Sequence, residues 1–174
     1  FKDEITAIKY NGVSIDMLLK MTVDDTIQFF RKYNQSKIVS KLLPLQSVGL
    51  GYVSLGQSSN TLSGGEAQRI KLASFIGKGD QIEKTFFIFD EPTTGLHFHD
   101  VRKLLNTFDK LIRMGHSILV IEHNLDMISC ADHIIDLGPE GGDKGGQVVA
   151  EGTPEEIIKN INSYTGQYLK SKII

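Results

Sequence analysis

The chain has 174 residues, 40% hydrophobic and 23% charged, a composition that excludes a disordered polymer and allows one ordinary domain or two small lobes. Its formal charge of −2 and pI near 6.2 give no electrostatic signature of a nucleic-acid-binding module within these residues. A single cysteine, Cys130, excludes an internal disulfide and a cysteine-based zinc site, and no apolar run approaches the ~18 residues of a membrane span.

Residues 1–78 read as a small, mostly helical lobe. "ITAIKYNGVSI" (5–15) sets Asn11-Gly12 between two short apolar runs, a hairpin signal. "TVDDTIQFFRKY" begins with Thr22 as a helix cap, Asp25 three residues on, and Val23, Ile27 and Phe30 to bury. "SKIVSKLLPLQSVGL" is helical in pattern until Pro44, which should kink or end it. A polar, glycine-containing connection, "GLGYVSLGQSSN", leads to "TLSGGEAQRIKLASF" (61–75). From Glu66 onward this stretch reads as a helix, with Ile70, Leu72, Ala73 and Ile76 available for burial.

Residues 79–174 have a different texture. "TFFIFDEP" is an apolar run of strand length ending in Asp90 and Glu91. "VRKLLNTFDKLIRMG" carries Val101, Leu104, Leu105, Phe108, Leu111 and Ile112 at helical spacing, closed by Gly115. "SILVIEH" reads as a second buried strand ending in Glu122 and His123, and Asn124 can cap a short helix through Cys130, itself expected to be buried. "HIIDLG" and "GQVVAEG" are two further strands joined by the glycine-rich "PEGGDKG". Thr153, Pro154, Glu155 and Glu156 then start another helix. This order predicts an α/β sheet with an antiparallel edge pair, preceded by the helical lobe. The start at Phe1 rather than methionine is expected of a piece of something longer.

Two places carry chemistry. Ser63 and Glu66 have capping-box spacing, which explains a helix start without any ligand. A capping box does not ask for Gly64 and Gly65, however. Bare backbone there would let a bulky anion approach the first N–H groups and the positive end of the helix dipole. The second place is the end of "FFIF", since ligands of open α/β sheets sit beyond the carboxyl ends of strands. Adjacent residues of an extended chain point opposite ways, so Asp90 and Glu91 would divide the work. Asp90 would hold Mg²⁺, directly or through water, and Glu91 would face an attacking water as general base. A merely solvated strand end is the plainer alternative. His123 would join them if the two strands are neighbours. His97 and His99 read as loop residues rather than metal ligands, and Lys170 and Lys172 as a solvated helix end.

In this order, "LSGGE", "FFIFDEP", "TTGLH" and His123 resemble the signature, Walker B strand, D-loop and switch histidine of an ABC-type ATPase (P-loop NTPase-like). More narrowly, "LGQSSNTLSGGEAQRIKLA", "DEPTTGLHFHDVRKLL" and "VIEHNLDMISCADHIIDLGPEGGDKGGQVVAEGTPEE" are similar to the C-terminal part of the UvrA family, in its second nucleotide-binding domain. The resemblance implies a cytoplasmic, dimeric DNA-damage-recognition ATPase of bacterial nucleotide excision repair, with damaged DNA and UvrB as partners and no membrane. It implies ATP and Mg²⁺ as cofactors, with zinc only upstream of this chain. Asp90 would support Mg²⁺, Glu91 would be the catalytic base and His123 would contact the terminal phosphate. Ser63, Gly64, Gly65, Glu66 and Gly95 would belong to a composite nucleotide site.

The Walker A pattern G-x-x-x-x-G-K-[ST] is missing from the sequence, so the chain is expected to be inactive alone and to hydrolyse ATP only within an intact parent. Two other readings are a truncated ABC module complementing a partner's P-loop, and an ABC ATPase outside repair. His97, where transporter D-loops typically end in aspartate, weakens a transport role.

Overall fold

The computed structural model describes residues 3–77, 83–140 and 145–173, in two compact units, Phe1–Val120 and Ile121–Ile174. The lobe boundary expected at 78/79 and most of "PEGGDKG" lie outside the described residues.

In the first unit, α1 (Asp3–Thr6) precedes a hairpin of β1 (Lys9–Tyr10) and β2 (Val13–Ser14), paired Lys9 to Ser14 and Tyr10 to Val13. Asn11 and Gly12 both take positive φ, 48° and 87°, as the tight hairpin turn demands. After α2 (Ile15–Lys20), α3 (Val23–Lys32) starts where the Asp25 N–H donates to Thr22 Oγ1 at 3.1 Å. Its Val23, Ile27 and Phe30 pack with Val39 of α4 (Ser36–Ser47) into one apolar cluster. Removing each such side chain from water contributes roughly 1.5–3 kcal/mol. Pro44 lies inside α4 and does not end it, since the helix continues to Ser47.

A single 3₁₀ turn (Ser59–Thr61) leads into α5 (Gly64–Ile76), which buries Leu72 and Ala73 and leaves Ile70 and Ile76 half-buried. Strand β3 (Phe86–Asp90), helix α6 (Phe98–Arg113) and strand β4 (Ser117–Ile121) follow. Helix α6 buries Val101, Leu104, Phe108 and Leu111 as its spacing predicts, but Leu105 is only half-buried and Ile112 is exposed. Thr107, also buried, donates its hydroxyl to the Ser47 carbonyl at 2.8 Å and ties α6 to the end of α4.

Strands β3 and β4 are hydrogen-bonded neighbours, and the Ser117 N–H donates to the Thr85 carbonyl at 3.0 Å, so both begin at the same edge. On one face Phe87 meets Phe75 and Phe89 stacks on Phe108, with ring centroids 4.6 and 4.9 Å apart. Buried His116 supports the same face by accepting the Thr85 N–H at Nδ1. On the other face Phe86, Ile88 and Leu119 are exposed, so β4 is half-covered rather than the buried strand expected.

In the second unit, α7 (Leu125–Ile128) is capped by Asn124, whose Oδ1 accepts the N–H groups of Asp126 and Met127. Strands β5 (Ile134–Gly138) and β6 (Gln147–Gly152) pair antiparallel, Ile134 with Gly152 through Gly138 with Gln147. Helices α8 (Pro154–Ile157) and α9 (Tyr164–Ile173) cover them, around a core of Ile134, Ala150, Ile157 and Leu169. Gly166 is the close approach here, since a Cβ would lie 2.3 Å from the Ile157 carbonyl oxygen. Cys130 is exposed, not buried as expected, because it follows the last turn of α7. Lys172 pairs with Asp126 at 2.7 Å. Among the described residues the strands pair two by two, and no helix is long and apolar enough to cross a membrane.

Candidate functional site

The start of α5 is held by both halves of a capping box. The Glu66 N–H donates to Ser63 Oγ at 3.2 Å, and the Ser63 N–H donates to Glu66 Oε2 at 2.7 Å. The other Glu66 oxygen accepts the Tyr52 hydroxyl at 2.6 Å. That bond, and then the Ser63 N–H, hold the Glu66 carboxyl below its ordinary pKa. Burial and the bond to Glu66 raise the Tyr52 phenol.

The two glycines differ. Gly64 is exposed, and a Cβ added to it would meet nothing within 4 Å. Gly65 is buried, and its Cβ would lie 3.1 Å from Arg69 Nη1, 3.4 Å from the Thr94 carbonyl oxygen and 3.5 Å from that of Glu91. The tight neighbour of Gly65 is therefore Arg69 of the same helix, with the two loop carbonyls at ordinary van der Waals distance, and the room needed by that guanidinium accounts for Gly65. Packing does not account for Gly64, whose open backbone leaves the helix start approachable by an anion.

Asp90 ends β3 with its side chain exposed, and its N–H donates to Gln68 Oε1 of α5 at 3.3 Å. Glu91 then turns into the left-handed region, at φ 46°, which is uncommon for a residue with a side chain. Such a backbone costs on the order of 1–3 kcal/mol and persists only where its surroundings enforce it. The strict alternation expected for Asp90 and Glu91 is thus broken at Glu91. The Glu91 carbonyl accepts the Thr94 N–H at 3.1 Å, and its Oε2 lies 3.4 Å from the Thr94 hydroxyl. Gly95, at φ 75°, completes the turn with open space beside it.

Within the first unit, then, the start of α5 and the loop after β3 meet where Gly65 faces the Glu91 and Thr94 carbonyls and where Gln68 accepts the Asp90 N–H. His123 lies in the second unit, exposed and two residues beyond β4. The N–H groups of His123 and Asn124 both donate to Glu122 Oε2, at 3.0 and 3.1 Å. The rings of His97 and His99 stack with centroids 5.9 Å apart. Open backbone at a helix start and exposed carboxylates at a strand end fit a phosphate and a hard cation respectively. Sequence reading missed three members of the assembly: Tyr52, Gln68 and Arg69. Only Arg69 leaves a trace, one turn after a glycine that makes room for it.

No protein-family model matches the chain. It is 55% identical over 173 residues to UvrABC system protein A of Clostridium acetobutylicum, a match covering 99% of this chain and 18% of that protein. It is also 55% identical over 170 residues to UvrABC system protein A of Aquifex aeolicus, with 98% and 18% covered. The chain therefore spans about a fifth of the curated relatives it matches. The crystal structure of UvrA2 from Deinococcus radiodurans superposes with a TM-score of 0.82 at 38% identity, over all of this chain and 21% of that one. A bacterial Atm1-family ABC exporter with ATP bound shares the fold, with a TM-score of 0.53 at 20% identity over 90% of this chain and 27% of its own.

Proposed function

We propose, from the chain's membership of the UvrA family, that it is the part of a DNA-damage-recognition ATPase that brings the signature helix, Walker B strand, D-loop and switch histidine to composite ATP sites. The observation that carries this reading is the open backbone of Gly64 at a capped helix start, in the same unit as the Asp90–Glu91 strand end. Ser63, Gly64 and Gly65 receive the phosphate of a nucleotide whose main cradle is a P-loop elsewhere. Glu66 acts in this reading by fixing Ser63, because its carboxylate is already engaged by Ser63 and Tyr52. Asp90 supports Mg²⁺, which would neutralise phosphate charge. Glu91 takes the proton of the attacking water, His123 contacts the terminal phosphate, and Gly95 gives the loop its turn beside the nucleotide. Functionally, 1–78 is the signature lobe and 79–174 the catalytic lobe. The complete protein works as a cytoplasmic dimer in nucleotide excision repair, recognising damaged DNA and engaging UvrB.

The test is steady-state ATP turnover and nucleotide binding by the complete ATPase that contains this segment. Glu91→Gln is expected to keep ATP binding and to lose turnover at this site by about 10²-fold or more. Ser63→Arg is expected to block the paired site without unfolding the lobe. Normal hydrolysis in Glu91→Gln would remove Glu91 as the base, and unchanged nucleotide affinity in Ser63→Arg would remove the phosphate from the helix start.

A further inference from the structure

Arg69 heads the fully buried side chains by volume, with 0% of its surface exposed. A guanidinium removed from water carries a large desolvation cost, and an apolar side chain of similar size would fill the same space more cheaply. Its hydrogen bonds recover only part of that cost. Nη1 donates to the Pro92 carbonyl and, at 3.4 Å, to the Thr94 carbonyl, whereas Nε and Nη2 have no hydrogen-bond partner among the described residues. Burial holds the group below its ordinary pKa, against the pull of Tyr52, Glu66 and Asp100. Core filling therefore does not explain an arginine here.

What the arginine does deliver is a tie. Its backbone belongs to the second turn of α5, and its head grips the two carbonyls that flank Thr93, immediately after Glu91. Gly65 is kept without a side chain on the same face, where a Cβ would crowd Nη1 at 3.1 Å. The left-handed backbone of Glu91 needs such over-determined surroundings, and the first carbonyl that Arg69 holds is that of the next residue.

We propose that Arg69 is a positioning residue that locks the Pro92–Thr94 backbone to the start of α5, so that a ligand closing on Ser63 and Gly64 also fixes Glu91. Its effect on turnover rests on the nucleotide reading above; the tie itself rests only on the two carbonyl bonds.

The complete ATPase carrying Arg69→Met or Arg69→Lys tests this through two readouts. The first is amide hydrogen exchange without nucleotide. Arg69→Met should raise exchange across 90–97 about ten-fold while α3 and α6 stay within about two-fold of the parent. The second is ATP turnover, where kcat should fall about ten-fold with KM within about three-fold. Arg69→Lys, able to keep one carbonyl bond, should lie between the parent and Arg69→Met in both. Unchanged exchange at 90–97, a rise shared equally by α3 and α6, or an unchanged kcat would each overturn the proposal. If instead Ser63→Arg leaves nucleotide affinity intact, the phosphate reading falls, and the exchange readout still judges Arg69.

Discussion

At the scale of single residues, the Glu66 carboxylate is the most heavily used group at the helix start. One oxygen accepts the Ser63 N–H and the other the Tyr52 hydroxyl, at 2.7 and 2.6 Å. Its depressed pKa means that its contribution to stability is present above the ordinary carboxylate value and is lost as pH falls through the folded one. Tyr52 runs the other way: its raised pKa means a contribution present below the ordinary phenol value and lost as pH rises through the folded one. The pair is therefore fully in place across neutral pH. Tyr52→Phe should move the Glu66 pKa back up toward its ordinary value, read by NMR titration of the Glu66 carboxyl carbon. The stability lost at neutral pH should be at most about 1 kcal/mol, because the tyrosine is nearly half exposed and solvent screens the bond. An unmoved Glu66 titration would show that the hydroxyl is not what holds the carboxylate ionised.

At the scale of elements, the two glycines that open α5 separate packing from function. A methyl at Gly64 meets nothing within 4 Å, and alanine is the better helix former by up to about 1 kcal/mol. Gly64→Ala should therefore leave the melting temperature unchanged or raise it. Gly65→Ala brings a methyl to 3.1 Å from Arg69 Nη1, so that a guanidinium already held on the Pro92 carbonyl must shift by a few tenths of an ångström, and should cost about 1 kcal/mol. Thermal unfolding of both variants, beside nucleotide affinity in the complete ATPase, checks this. A stable Gly64→Ala that binds nucleotide more weakly is the expected result, and full affinity would leave Gly64 without a functional reason. The same contrast shows how far the sequence could be read. The Asn11-Gly12 hairpin, the Thr22 cap, the Ser63–Glu66 box and the Asn124 cap are each encoded within a few adjacent residues, and each is found where its local chemistry puts it. The acidic strand end at Asp90–Glu91 was legible for the same reason. Cys130 and the exposed side of β4 depart from what their own segments suggest because their outcome depends on what packs there, or fails to, from elsewhere in the chain. Arg69 was illegible because its partners are backbone carbonyls 23 and 25 residues away, which no side-chain pattern announces.

At the scale of the whole molecule, two observations bear on what the 174 residues can do unaided. The sequence holds no G-x-x-x-x-G-K-[ST], so the amide cradle and lysine that bind a nucleotide's β- and γ-phosphates are not encoded in it. The β3–β4 pair also leaves Phe86, Ile88 and Leu119 exposed by 61%, 61% and 43%, an apolar face on a two-stranded sheet. Phe75 and Phe108 cover the sheet's other face, and the open apolar face invites further burial. Both observations agree with the proposal made above, in which the chain is one portion of a larger ATPase. The isolated chain is expected to show no Mg-ATP turnover above background, and Glu91→Gln is expected to change nothing in it. It should also bind an apolar dye such as anilinonaphthalene sulfonate more strongly, per mole, than the complete ATPase does. Sustained hydrolysis by the isolated chain that vanishes in Glu91→Gln would mean that these residues make their own phosphate cradle. The composite-site reading would then fail, and the open helix start at Gly64 would have to be the primary nucleotide site rather than one half of it.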